Sequence, residues 1–264
     1  MHISSVNTSK GELRYAECCG GPRNLIVLPG VSVSSVLDSA AAVETVYSVF
    51  NGKYTLYLIE YPNEYPEEAE IDYIADIIAE AIGLLGLKNN CLFGASFGGM
   101  VGQVLLAEHP ELFVSAAFGS SVAKLAEEYP KTIARWHTIA LSGDIRTLNL
   151  AFYDAVYSDA YQIRYAEAIR NVLENGTETN CRVMAVHTGM MLRADLSAYA
   201  RKIKTPTLMI GAEVDHVFSP KDVAEAARLM GGKLFLYEGS SHAVFDEEPD
   251  FQQRLLAYFE ESEH

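Results

Sequence analysis

One ten-residue stretch constrains the fold more than any other part of the chain: Cys91-Leu92-Phe93-Gly94-Ala95-Ser96-Phe97-Gly98-Gly99-Met100. An apolar run leads into a Gly-x-Ser-x-Gly pentapeptide, and a segment of helical character, 100–107, follows at once. Where a strand, a sharp turn and a helix follow one another, this pentapeptide holds its serine on a strained turn above the sheet. We therefore predict that Ser96 presents its hydroxyl at a helix N-terminus, where backbone amides favour developing negative charge.

Short apolar strands alternate with helical segments on both sides of this stretch. Besides the strand before Ser96, apolar runs predict strands at 3–7, 12–18, 25–28, 54–59, 113–118, 207–210 and 233–237. Helical periodicity predicts helices at 35–50, 71–87, 223–230 and 251–259. Such alternation favours an α/β fold with a mostly parallel eight-stranded sheet flanked by helices. Ligands of these sheets bind at the carboxyl ends of the strands, where Ser96 is expected.

Strand signals vanish between residues 122 and 200, and helical segments take their place. We predict a core domain formed by 1–121 and 201–264, with 122–200 inserted as a helical cap. Four tyrosines in the cap recur at every fourth position: Tyr153, Tyr157, Tyr161 and Tyr165. This spacing fits packing between cap helices, which we favour, or the lining of a substrate pocket. Tyr157 and Tyr161 are the candidates for substrate contact.

Charge and composition exclude some classes of partner. The net charge is -15, which disfavours nucleic acid and anionic membranes because both require a basic surface. The cap holds 8 Lys/Arg and 9 Asp/Glu, so its near-neutral balance predicts a pocket for an uncharged, partly apolar acyl group. No signal peptide or membrane-spanning run is evident, and the four cysteines suggest free thiols, so we expect a cytoplasmic protein.

A serine needs a base to become nucleophilic at neutral pH. His242 lies in the loop between the last strand and the last helix, which should emerge at the same sheet edge as Ser96. His216 is the weaker candidate. A carboxylate must then hold the imidazole, and Asp215 follows the strand at 207–210, with Glu213 as the alternative. The order Ser96, Asp215, His242 is the nucleophile, acid, base order of α/β-hydrolases.

Several segments together resemble a small serine-type hydrolase of the α/β-hydrolase fold family with a helical cap. They are Leu28-Pro29-Gly30-Val31, Gly94-Ala95-Ser96-Phe97-Gly98-Gly99, the run from Ile203 through Gly211 to Asp215, and Ser241-His242 with the following Phe245-Asp246-Glu247-Glu248-Pro249. These segments flank the insertion on both sides, so the resemblance covers essentially the whole chain. They are specific to the fold and the triad but do not specify a substrate.

The resemblance also implies an oxyanion hole formed by the backbone amides of Phe97 and Val31. Gly30 would let the loop approach the substrate closely, because it has no side chain. Many relatives carry histidine where this chain has Pro29, and proline stiffens the turn and removes a donor. Ser32 offers a further hydroxyl, although a turn or capping role suits it better.

The function that the resemblance implies is hydrolysis of a small ester or related acyl compound through an acyl-enzyme. The alternatives are carbon–carbon bond hydrolysis, acyl transfer or perhydrolysis on the same triad, or a ligand receptor that retains the triad. We expect no cofactor and no metal, and a small-molecule substrate as partner; the oligomeric state is left open. The acidic run at 246–248 lacks metal-ligand spacing and is interpreted as charge at a helix N-terminus.

Overall fold

The computed structural model describes residues 1–126, 130–175 and 177–262. Its eight strands are β1 (His2–Thr8), β2 (Gly11–Cys18), β3 (Arg23–Leu28), β4 (Tyr54–Ile59), β5 (Asn90–Ala95), β6 (Phe113–Gly119), β7 (Thr207–Ala212) and β8 (Lys233–Tyr237). They form one sheet in the order β1-β2-β4-β3-β5-β6-β7-β8. The antiparallel β1–β2 hairpin joins β4 antiparallel, and every other neighbouring pair is parallel. The predicted α/β class with a mostly parallel eight-stranded sheet is confirmed.

Helices connect the parallel strands and cover the sheet. They are α1 (Ala40–Val46), α2 (Ile71–Leu84), α3 (Phe97–Glu108), α4 (Pro130–Ser142), α5 (Ile145–Val156), α6 (Asp159–Arg164), α7 (Ala166–Asn175), α8 (Glu178–Arg193), α9 (Ser197–Lys202), α10 (Pro220–Met230), α11 (Val244–Glu247) and α12 (Phe251–Ser262). The predicted helix at 35–50 is shorter, because one-turn 3-10 segments replace its two ends. The helix predicted at 71–87 ends at Leu84, where Gly86 adopts a φ of 68° and the Leu87 N–H returns to the Ile82 carbonyl.

The central strands are buried on both faces, which explains their continuous apolar sequence. Along β5, Leu92 packs into the core with α2, α3 and α10, whereas Cys91 and Phe93 pack into the opposite core with α1 and α12. Parallel register places Leu28 beside Gly94 and Ala95 beside Gly119. The carboxyl ends of β3, β5 and β6 therefore meet at one edge of the sheet.

Helices α4 to α8 lie between β6 and β7 in the chain and pack on one another, with α4 against both α5 and α8. Trp136 is buried among them and donates its indole N–H to the Ala151 carbonyl. The short helix α9 crosses the predicted cap boundary at residue 200 and packs against α3 and α10 of the sheet layer. Of the described helices, none combines the length and the apolar character that crossing a membrane requires.

Candidate active site

Ser96 lies on the turn between β5 and α3, with a φ of 50° and a ψ of -115°. A positive φ is strained for a residue with a side chain and occurs mostly at functional positions. The neighbouring glycines make this turn sterically feasible. A Cβ on Gly98 would lie 2.2 Å from the Leu28 carbonyl oxygen, and one on Gly94 would lie 2.5 Å from the Gly98 carbonyl oxygen. The turn thus requires both glycines of the pentapeptide.

A continuous chain of hydrogen bonds runs from Ser96 through His242 to Asp215. The Ser96 Oγ lies 3.0 Å from His242 Nε2, and His242 Nδ1 lies 2.8 Å from Asp215 Oδ2. All three residues are buried. An ionised carboxylate only accepts hydrogen bonds, so the Nδ1 of a neutral imidazole carries the proton and its Nε2 is left to accept from the serine hydroxyl.

Asp215 is held by the backbone that follows β7. Its Oδ1 accepts hydrogen bonds from the amides of Val217 at 2.7 Å and Phe218 at 2.9 Å. The two alternatives from the sequence, Glu213 and His216, are both exposed, and the carbonyl of His216 accepts a hydrogen bond from Thr132. The structure therefore brings Asp215 and His242 to Ser96 and leaves the alternatives at the surface.

The loop after β3 packs directly against the serine turn. A Cβ on Gly30 would lie 3.2 Å from the Ser96 Cβ, so the absent side chain permits this approach. The carbonyl of Pro29 accepts a hydrogen bond from Tyr61 at 2.9 Å, which anchors the loop. Val31 is buried beside it, and Phe97 begins α3, so the Phe97 amide is one of the four that a helix leaves without an internal partner.

Ser32 has a structural hydrogen-bonding role within this loop. Its hydroxyl donates to the Ser34 carbonyl at 2.6 Å and accepts from the Ser34 amide at 3.2 Å. This arrangement is the turn role that the sequence favours for Ser32. Ser35, three residues after Ser32, accepts a hydrogen bond from the Leu37 amide and caps the 3-10 turn there.

Ser96 and His242 open into a cavity of about 480 Å³ between the sheet edge and the inserted helices. Gly30, Val31 and Ser32 lie on its wall, and so do Tyr157 and Tyr161. Most of the remaining lining is apolar, including Phe93, Trp136, Phe152 and Ile169. The described lining contains one carboxylate and neither lysine nor arginine. A small, mostly apolar molecule of matching volume fits such a cavity.

The four tyrosines at every fourth position form a stack of rings. The ring centroids lie 5.5 Å apart for Tyr153 and Tyr157, 4.4 Å for Tyr157 and Tyr161, and 4.4 Å for Tyr161 and Tyr165. The backbone between them is not one helix, because Tyr157 is extended and separates α5 from α6. All four residues also line the cavity, so they both pack the inserted segment and form the wall of the pocket.

The carboxylate in the lining belongs to Asp246, which stands in the sequence within the acidic run at 246–248. Its Oδ2 accepts a hydrogen bond from the Tyr157 hydroxyl at 2.9 Å. Its side chain faces the open space of the cavity, and protein surrounds that cavity. The resulting loss of bulk solvent raises the pKa of Asp246 to about 6, and the charge of Glu247 acts in the same direction. The sequence feature that could have indicated a place in the site is its position four residues after His242, in the segment that emerges at the same sheet edge as Ser96.

His187 of α8 contacts the Ser96 turn from the inserted segment. Its ring stacks on Phe97 with centroids 4.8 Å apart, and its Nε2 is hydrogen-bonded to the Tyr65 hydroxyl at 2.7 Å. Burial lowers the pKa of His187 to about 3, so the ring is neutral at physiological pH. In the sequence, His187 stands at helical spacing from Met184 and Met191, which gives no indication of its contact with Phe97.

Comparisons with known proteins agree with this architecture. The profile of the family described as serine aminopeptidase, S33, matches residues 71–250, a range that includes Ser96, Asp215 and His242. A pimeloyl-acyl carrier protein methyl ester esterase of Wigglesworthia glossinidia brevipalpis is 21% identical over 248 residues, which cover 90% of this chain and 94% of that protein.

Solved structures show the same fold. The enol-lactonase from Burkholderia xenovorans LB400 superposes with a TM-score of 0.82 at 18% identity, covering 97% of this chain and 100% of its own. An esterase from Exiguobacterium antarcticum superposes with a TM-score of 0.81 at 16% identity, covering 97% and 99%. At such identities, these similarities describe the fold. Because the family profile spans well over half of the chain, this protein belongs to the serine aminopeptidase S33 family and is a hydrolase of the α/β-hydrolase fold.

Proposed function

We propose that the protein hydrolyses a small ester or related acyl compound through an acyl-enzyme, with Ser96 as nucleophile, His242 as base and Asp215 as the residue that orients His242. One observation carries this proposal: the unbroken hydrogen-bond chain from Ser96 to Asp215, which opens into the cavity. The names of the esterase and lactonase relatives agree with an ester-type substrate.

In the first half of the reaction, Ser96 Oγ attacks the carbonyl carbon while its proton passes to His242 Nε2. Asp215 stabilises the imidazolium that forms, since its carboxylate faces Nδ1 at 2.8 Å. The tetrahedral intermediate collapses, the bond to the leaving alkoxide breaks, and His242 gives that oxygen its proton. In the second half, water loses a proton to His242 and attacks the acyl-serine ester. The bond to Ser96 Oγ then breaks, His242 returns its proton to that oxygen, and the acid is released.

The negative charge of each tetrahedral intermediate needs preorganised donors. The amides of Phe97 and Val31 are the donors we propose, because the loop holding Val31 packs against Ser96 and Phe97 begins α3. A donor of this kind contributes roughly 10²- to 10³-fold to kcat in a comparable site. His187 and Tyr61 pack on the Phe97 ring and support the turn.

We propose that the segment 122–200 is a cap that closes the site. Its tyrosines and Trp136 form one wall of the cavity, and the Ser96 turn forms the other. Exclusion of water by such a cap strengthens the electrostatic interactions at the reacting carbonyl. The apolar lining binds the chain of the acyl or alcohol group.

A panel of p-nitrophenyl esters from acetyl to octanoyl tests the proposal. We expect many turnovers per protein molecule in the wild type and loss of turnover in Ser96→Ala. Ser142→Ala, which changes an exposed serine on α4, serves as the matched control. Release of a single equivalent of p-nitrophenol without turnover would favour the receptor alternative. Unchanged turnover in Ser96→Ala would overturn the proposal.

A further inference from the structure

The Asp246 carboxylate is the one charged acidic group in the described wall of the Ser96 cavity. Tyr157 donates its hydroxyl to this carboxylate, and the short helix α11 holds it four residues beyond His242. Neither lysine nor arginine contributes to the described lining. The cavity is otherwise mostly apolar, so this carboxylate dominates the electrostatic character of its surroundings.

Among the described residues, the groups that face Asp246 from neighbouring elements include neither lysine nor arginine. Glu247, on the same helix, accepts hydrogen bonds from the amide and hydroxyl of Ser158. Burial raises the pKa of the phenols of Tyr47, Tyr153 and Tyr161. The charge of Asp246 lies close to all three and raises their pKa further. His242 is the basic group that acts on the carboxylate.

A guanidinium lies at the outer end of the tyrosine stack. Arg164 lies 5.4 Å from the ring centroid of Tyr165, the most exposed of the four rings. Arg164 packs on Tyr165, and neither it nor any other arginine is among the described residues that line the cavity. The described lining thus offers the Asp246 carboxylate no guanidinium or ammonium group, and a bound ligand could supply one.

The chemistry around Asp246 favours a cation that carries N–H groups. A protonated amine placed against a partly desolvated carboxylate forms a charge-assisted hydrogen bond, about twice as strong as a neutral one. Tyr157 is stacked between Tyr153 and Tyr161, so the faces of its ring are covered by its neighbours. This part of the wall therefore presents phenol oxygens to a ligand, and these oxygens accept hydrogen bonds from ammonium N–H groups.

We propose that Asp246 determines specificity in this cavity by selecting substrates that carry a protonated primary or secondary amine and by rejecting substrates that carry a carboxylate. This inference rests on the proposed function, because it assigns one end of the substrate to Ser96 and the other to Asp246. It refines the expectation of an uncharged acyl group: the chain is apolar, and its far end is cationic. A divalent metal ion does not fit, because the described residues contain no cluster of three or more ligating side chains.

Three isosteric p-nitrophenyl esters test the proposal: 6-aminohexanoyl, heptanoyl and the monoester of pimelic acid. Their acyl chains have five methylenes and end in an ammonium, a methyl and a carboxylate group. We expect wild-type kcat/KM to be at least tenfold higher for the ammonium ester than for the heptanoyl ester, and lowest for the carboxylate ester. Rates without enzyme are measured in parallel and divided out.

The variant Asp246→Asn keeps the size of the side chain and an oxygen that accepts from Tyr157. We expect it to bring the ammonium-to-methyl ratio of kcat/KM close to one. Asp154→Asn, which removes a charge from an exposed position on α5, should leave the wild-type ratio unchanged. If the wild type shows no preference for the ammonium ester, or if Asp246→Asn retains the full preference, the proposal is wrong.

A binding measurement separates failure of this inference from failure of the proposed function. Calorimetric titration of the Ser96→Ala protein with hexylammonium, hexan-1-ol and hexanoate requires no turnover. Tightest binding of hexylammonium, lost when Asp246→Asn is added, supports the inference even if no ester is hydrolysed. Equal affinity for the three ligands would overturn it, even in a protein that hydrolyses neutral esters efficiently.

Discussion

Asp215 Oδ2 lies 2.8 Å from His242 Nδ1, while the other carboxylate oxygen of Asp215 accepts two backbone amides. In each of these three hydrogen bonds, an oxygen of Asp215 is the acceptor. An asparagine at this position has one acceptor oxygen and one NH₂ group, so it must either lose the backbone amides or present a donor to Nδ1. The pairing is therefore specific to a carboxylate.

Asp215→Asn should lower kcat for ester hydrolysis by about 10⁴-fold, because the imidazole is then held in the wrong tautomer. Glu213→Gln should have little effect, since the side chain of Glu213 is exposed. Steady-state kinetics on a p-nitrophenyl ester, with circular dichroism to verify folding, measures both. A larger loss in Glu213→Gln would reassign the acid.

His242→Ala should lower kcat by several orders of magnitude, up to about 10⁶-fold as in comparable triads. Ser96 then has no base within hydrogen-bond distance. His216→Ala should remain near wild type, because the His216 side chain is exposed and the hydrogen bond from Thr132 goes to its backbone carbonyl. Similar losses in the two variants would show that the base was assigned wrongly.

The serine turn and the placement of its partners follow from local sequence and from the rules for parallel sheets. Gly94, Ser96 and Gly98 identify the strand–turn–helix unit, and strand ends that meet at one edge select Asp215 and His242. Both steps need only short-range patterns and the right-handed connections between parallel strands. This is why the order of the elements and the three residues at the sheet edge were predicted together.

The place of Asp246 in the cavity wall could not be predicted from the sequence. In sequence it belongs to an acidic run before a helix, an ordinary position for solvated charge. Its contact is with Tyr157, 89 positions earlier, and depends on how the inserted helices pack over the sheet. The stacking of Tyr157 and Tyr161 was also not evident, because the helical periodicity continues across a break in the backbone. Tertiary packing decides both features.

Tyr161→Ala should shift the preferred acyl chain toward longer substrates. The residue lines the cavity, and each additional buried methylene contributes roughly 0.8 kcal/mol, or about fourfold in kcat/KM. The variant should also lower the Tm, because Tyr161 is stacked between Tyr157 and Tyr165. Tyr199→Ala on α9 is the control, a half-buried tyrosine in a different layer. A lower Tm with an unchanged chain-length profile would mean that Tyr161 only packs the helices.

Asp246 should make stability depend on pH in a defined direction. Burial raises the pKa of its carboxyl from 3.8 to about 6, so the folded state binds this proton more tightly than the unfolded chain does. The stability that the proton confers is complete below about pH 4 and is lost as the pH rises through about 6. The free energy of unfolding of the wild type, minus that of Asp246→Asn, should therefore fall between pH 4 and pH 6. A difference that is constant across this window would contradict the assignment.

The central claim, that Ser96 is the nucleophile, is tested most directly by covalent labelling. A fluorophosphonate probe reacts with activated serines, and mass spectrometry of the digested protein locates the adduct. We predict stoichiometric labelling on Ser96 in the wild type, strongly reduced labelling in His242→Ala, and none in Ser96→Ala. Labelling that persists undiminished in Ser96→Ala, or an adduct on another serine of the wild type, would contradict the account.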